Sequence, residues 1–221
     1  MPNSPLNITK STLGTVLSQI PSHLFGILAG IFIARTLGPE GRGLYAIFFA
    51  NMTLYCTLFG GSITTSIIYF ITTKKMSVGK INTLSVFTLM MTMILSSCAI
   101  TLSLIPSIQK WVIPDYNWNT ADALIMLQII FLTQLNTALT AYFQGKQNFK
   151  LVNLVLVLNS IYSLIGFGVL YIISLKGTII DISHVLTMYR FILILNTIHW
   201  LYNFLRKETI QFDFRISIQE I

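Results

Sequence analysis

Thr12, Thr15, Gln19, His23, Gly26 and Gly30 recur at steps of three or four residues, so on a helix they share one face. A face with a glutamine, a histidine and two glycines has two uses. It can form a tight helix–helix seam, with Gly26 and Gly30 permitting close approach, or it can line a wet cavity. Three more stripes follow. One holds Thr133, Asn136, Thr140 and Gln144, the next Asn159 and Ser163 followed by Gly166, and the last Asn196, His199 and Asn203. Alone, each stripe reads as interhelical glue worth about 0.6 kcal/mol per hydrogen bond. Together they point to a polar lumen. Arg190 stands within an apolar stretch, where a charge costs at least a few kcal/mol unless it is paired or hydrated. Its alternative is to snorkel to the headgroups. This is chemistry of binding and positioning. No Ser/His/Asp or Cys/His set can be assembled, and Glu40, Asp115, Asp122 and Asp181 fall near one surface, as solvated loop charges would. No enzyme, cofactor or metal site is therefore expected. Cys56 and Cys98 read as packing residues.

The elements that carry these stripes follow from composition. Of 221 residues, 54% are hydrophobic and 10% are charged, with a mean hydropathy of +0.74. So few charges cannot clothe so much apolar surface in water, and disordered chains are polar. Long charge-free runs separate the clusters of charge. A spanning helix needs roughly 20 residues, and the runs predict six spans, at about 11–34, 43–73, 81–105, 122–145, 151–175 and 182–205. The fold class is all-α, a polytopic six-helix membrane bundle over 1–210, with a polar cytoplasmic tail at 206–221. The second run would be about 46 Å long as one helix, and Gly60-Gly61 is its weak point. Pro21 is a candidate bend in the first span.

Lysines and arginines orient the spans. Lys10, Lys74, Lys75, Lys80, Lys146, Lys150, Arg206, Lys207 and Arg215 fall on one side, against Arg35, Arg42, Lys110 and Lys176 on the other. Both termini are therefore expected to be cytoplasmic. Topology accounts for most of the net charge of +7, and no water-exposed basic domain is present for nucleic acid. Trp111, Tyr116 and Trp118 read as interface anchors on the outer side, and Trp200 and Tyr202 on the inner side. Pro106 and Pro114 bracket the exit of the third span.

The connection after the first span reads Ala34-Arg35-Thr36-Leu37-Gly38-Pro39-Glu40-Gly41-Arg42-Gly43-Leu44-Tyr45. Gly38, Gly41 and Gly43 around Pro39 permit a tight reversal, and Tyr45 can anchor the next helix at the interface. This stretch, with Arg35, Leu37, Gly38, Pro39, Gly43 and Tyr45 as its key positions, resembles the first external loop of polysaccharide flippases. These share a superfamily with multidrug and toxic compound extrusion transporters. Thr65-Ser66-Ile67-Ile68-Tyr69-Phe70, followed by Lys74 and Lys75, is similar to the end of the family's second helix.

The resemblance implies translocation of polyprenyl-diphosphate-linked oligosaccharide repeat units across a cell membrane for surface polysaccharide synthesis. Guanidinium groups suit the diphosphate and hydrogen-bonding side chains suit the glycan. The candidate substrate-binding residues are Arg35, Arg42, Arg190, His23, Gln19 and Asn136. Arg35 and Arg42 have an alternative use as helix caps that meet lipid headgroups. Family members usually have about twice this length in two similar lobes, and the resemblance covers the first lobe. The chain is then a truncated form, one half paired with a second-lobe polypeptide, or a homodimer, which parallel repeats about a membrane-normal axis permit. Membrane lipid and lipid-linked oligosaccharide complete the expected partners. Two other functions remain open: a non-transporting membrane interaction subunit, and a small-molecule or cation exporter of the same superfamily, which would want a membrane-embedded acid.

Overall fold

The computed structural model describes the backbone of residues 5–61, 63–112 and 119–207, with side chains from residue 16 onward except those of 18 and 207. The Thr12 and Thr15 side chains lie outside the described residues. So do Pro114, Asp115, Tyr116, Trp118 and 208–221, including Arg215. Among the described residues the chain is all-helical. Its helices are α1 (Pro5–Gly60), α2 (Ile63–Thr73), α3 (Val78–Ser103), α4 (Pro106–Val112), α5 (Thr120–Gly145), α6 (Phe149–Leu175) and α7 (Ile182–Lys207). Four stretches are long and apolar enough to cross a membrane: Gln19–Gly60, Val78–Ser103, Thr120–Gly145 and Phe149–Leu175. Large apolar side chains such as Leu24, Leu58, Met90, Ile165 and Ile198 are exposed. An apolar coat of this extent suits lipid rather than water.

Capping side chains set several helix starts. The Ser77 hydroxyl accepts from the Lys80 N–H at the start of α3, and the Asn119 carbonyl oxygen accepts from the Asp122 N–H at 2.9 Å at the start of α5. Helix α1 contains one non-helical residue, Gly38, at φ 68° and ψ −175°. This conformation is open essentially to glycine alone. Pro39 then supplies a preset first helical residue. Gly41 and Gly43 lie in helical backbone, so Gly38 alone makes the break. Pro21 stands inside α1 without interrupting its helical dihedrals.

The two arms of α1 run in opposite senses. Phe32 stacks on Tyr171 at 5.4 Å, and Arg35 shares a groove with Ser174 further along, so the first arm follows α6. The second arm and α2 follow α5, because Gln134 reaches Cys56 and Gly145 reaches Ile71. Helices α5 and α6 join through the short turn 146–148 and are antiparallel. A reversal at Gly38 satisfies all three relations.

A second break separates α1 from α2 at Gly60-Gly61, the glycine pair singled out from sequence. Polar side chains from two other helices meet it. Gln134 Nε2 donates to the Cys56 carbonyl at 2.7 Å, and the Thr92 hydroxyl lies 2.9 Å from the Phe59 carbonyl. Both side chains are buried. Carbonyls at an interrupted helix must find donors inside a membrane. Gly60 also lets α5 approach, since a Cβ there would overlap the end of Gln134.

Three apolar clusters fill the interior. Phe48, Met52, Ile100, Met126 and Ile130 bind the second arm to α3 and α5. Ile67, Tyr142, Phe143, Val152 and Trp200 gather α2, α5, α6 and α7. Ala29, Ile33, Phe167 and Val185 join the first arm to α6 and α7. Trp200 is 2% exposed and stacks on Phe143 at 5.2 Å. It is a packing residue rather than the interface anchor expected from its place near a helix end. Tyr202, 60% exposed, is free to play that part.

Candidate functional site

Helices α2, α5, α6 and α7 border an open polar cleft of about 310 Å³. Its lining comprises Thr64, Thr133, Asn136, Thr137, Thr140, Gln144, Asn159, Leu193 and Asn196. The cleft reaches well away from the helix ends: Asn136 stands nine residues before the end of α5, roughly 14 Å along its axis. The Thr133 and Asn136 stripe of α5 thus meets Asn159 of α6 and Asn196 of α7.

Part of this polarity is internally satisfied. Asn136 Nδ2 donates to the Thr197 hydroxyl at 2.9 Å and to the Leu132 backbone carbonyl at 2.8 Å, and the Thr140 hydroxyl donates to the Asn136 backbone carbonyl at 2.7 Å. Part is not. Thr133 Oγ1, Asn136 Oδ1, Asn159 Oδ1 and Asn196 Oδ1 are buried without a hydrogen-bond partner. Four unsatisfied oxygens around one cleft are costly in an apolar setting. Three are amide carbonyls, which only accept. These oxygens are acceptor capacity that the described residues leave unused, in side chains that also line the cleft.

The other candidate residues lie elsewhere. Arg42 and Tyr45 line a groove of about 500 Å³ with Gly26, Gly30, Ser163 and Tyr189. Arg35 lines a second groove of about 630 Å³ with Thr36, Tyr171, Ser174 and Thr178. Gln19 and His23 are exposed on the first arm of α1, on the same side as the open Gly26 and Gly30, which have nothing within 4 Å of an added Cβ. Leu37 is half-buried, packed against two of the three apolar clusters, and Gly38, Pro39 and Gly43 shape the reversal and the helix after it. Arg190 Nη1 donates to Gln128 Oε1 at 2.9 Å across the α5–α7 seam, while its buried Nε has no partner. Arg190 lines neither the cleft nor the two grooves.

One acid departs from the shared reading as solvated loop charges. Asp122 is 2% exposed and accepts from the Ser183 hydroxyl at 3.0 Å, which ties the start of α5 to the start of α7. Nothing local to residue 122 signals this burial, because Ser183 comes from a helix 61 residues away. Asp181 is exposed and accepts from the His184 N–H and from its ring. Partial burial pushes the Asp181 carboxyl up, but the hydrogen bonds and charge of His184 with a bond from Ser183 outweigh it, so the pKa is lowered. A depressed carboxyl adds stability above its unfolded value of about 4 and loses it as pH falls through the folded value. Thermal melting is thus expected to be insensitive to Asp181→Asn at pH 3 and slightly lowered by it at pH 6. The effect is small because the pair is exposed.

Cys56 and Cys98 are both free thiols. No protein-family model, curated protein or solved structure matches the chain.

Proposed function

We propose that this chain is one lobe of a membrane translocator that moves polyprenyl-diphosphate-linked oligosaccharide units across the cell membrane. In this reading it crosses the bilayer six times, by the two arms of α1 (the second continued by α2), then α3, α5, α6 and α7. Both termini are cytoplasmic. The observation that carries the reading is the polar cleft. A glycan is rich in hydroxyl groups, and the threonine, asparagine and glutamine side chains lining about 310 Å³ suit such groups inside an apolar bundle. Arg35 and Arg42 line grooves at the opposite end and supply guanidinium groups suited to a diphosphate.

The first arm of α1 supports a paired arrangement. Gln19 and His23 are exposed beside Gly26 and Gly30, and polar side chains facing lipid are costly. A second lobe, from another chain or a second copy, would cover them. A cation exporter fits less well. Asp122, the buried acid among the described residues, stands at the start of α5 and is engaged by Ser183, away from the middle of a span.

Complementation tests the reading. The parent chain is expected to restore surface polysaccharide in a strain lacking its own flippase. An Asn136→Leu/Asn196→Leu variant, expressed at the parent level, is expected to restore at most a tenth as much. Equal restoration by the variant would sink the role of the cleft, and no restoration by the parent would sink the autonomous translocator.

A further inference from the structure

Two helix turns at one end of the bundle concentrate cations that the translocation reading leaves unused. The α2–α3 turn (74–77) holds Lys74 and Lys75 and leads into Lys80. The α5–α6 turn (146–148) holds Lys146 and leads into Lys150. The turns abut: Gly145 lies against Ile71, so close that an added Cβ would stand 2.9 Å from the Ile71 Cβ. The end of α7 joins them, with Phe204 packed on Tyr142 at 5.1 Å and Arg206 just beyond.

The scaffold under these cations is fixed. Each turn places a non-glycine residue in the left-handed region, Lys74 at φ 54° and Gln147 at φ 58°. In the second turn the Asn148 N–H donates to the Phe143 carbonyl at 2.9 Å and the Gln147 N–H to the Gln144 carbonyl at 2.8 Å, which closes the end of α5. Two ammonium groups are held as well. Lys75 Nζ donates to Tyr69 Oη at 2.5 Å, at the hydroxyl edge of the ring, and Lys146 Nζ lies 4.9 Å from the Tyr142 ring centroid. Cations already held in place lose less freedom when an anion arrives. Among the described residues the acids Glu40, Asp122 and Asp181 all stand at the other end of the bundle.

We infer that this end of the bundle binds the headgroups of anionic phospholipids. The turns close spanning helices, at the level where bilayer phosphates lie, and lysines clustered there attract anionic lipid. Exposed Phe149, Tyr202 and Leu205 provide apolar surface next to the cations for the acyl chains. A diacyl lipid uses both features, whereas free phosphate uses one.

The test uses the whole chain in nanodiscs of phosphatidylcholine mixed with phosphatidylglycerol. Lipid retained after gentle detergent release is counted by native mass spectrometry. Retained lipid is expected to be enriched in phosphatidylglycerol over the disc composition. Changing Lys74, Lys75, Lys146 and Lys150 together to glutamine is expected to lower the enrichment at least tenfold. Lys110→Gln/Lys176→Gln, at the opposite end, is expected to preserve it. Inorganic phosphate at the same concentration is expected not to displace the lipid. No enrichment in the parent overturns the inference whatever the variants do. Equal loss in the opposite-end variant, or displacement by phosphate, overturns it too.

Discussion

Alanine substitutions at Gly38 and Gly43 are expected to move stability in opposite directions. Gly38 sits at φ 68° and ψ −175°, and nothing lies within 4 Å of an added Cβ. Space is not what excludes a side chain there. The backbone conformation is, and holding a non-glycine residue in it costs about 1–3 kcal/mol. Gly43 also has open space for a Cβ but lies in helical backbone, where alanine is better than glycine by up to about 1 kcal/mol. Gly38→Ala should therefore lower the melting temperature in detergent, while Gly43→Ala should leave it unchanged or raise it. Gly38→Val should go further and reduce the yield of monodisperse protein, because the reversal at 38 sets the first arm against α6. Equal effects at the two glycines would show that the reversal does not depend on the backbone of Gly38.

Trp200→Ala carries the largest expected loss among single truncations. Trp200 is one of the largest fully buried side chains and joins α7 to Phe143 of α5. Truncating a buried tryptophan costs about 3–5 kcal/mol in a soluble core. Within a bilayer the hydrophobic share of that figure shrinks, since lipid is as apolar as the core. The lost packing contacts remain, so about 3 kcal/mol is expected. Tyr202→Ala, two residues on and largely exposed, should cost little. Thermal unfolding in detergent separates the two. Similar small losses at both positions would return Trp200 to the interface.

The contrast between Trp200 and Tyr202 shows where sequence reasoning runs out. Both aromatics sit near the end of one apolar run, and the run alone does not say which turns inward. That depends on the face α5 presents through Phe143. The break at Gly60-Gly61 was legible because adjacent glycines weaken a helix wherever they occur. Its support by Gln134 and Thr92 was not, because these donors come from α5 and α3. In the connecting loop the glycines and Pro39 announced a reversal, yet only Gly38 carries it, a choice set by backbone dihedrals. Asp122 read as a loop charge because its partner Ser183 lies on α7. The site shows the same limit. Helical spacing identified the stripes through Asn136, Asn159 and Asn196, but their convergence on one cleft follows from how α5, α6 and α7 pack. Nor could spacing show that Arg35, Arg42 and Arg190 occupy three different places.

The central claim, that the cleft serves translocation of lipid-linked glycan, is tested most directly in vesicles. The purified chain is reconstituted with a fluorescent polyprenyl-diphosphate oligosaccharide, and the fraction accessible to an external lectin is followed with time. The account predicts that lipid from the inner leaflet becomes accessible with the parent chain. It predicts at least a tenfold slower rate with Asn136→Leu/Asn196→Leu. Accessibility that rises no faster than in empty vesicles, or equally fast in the variant, would contradict it.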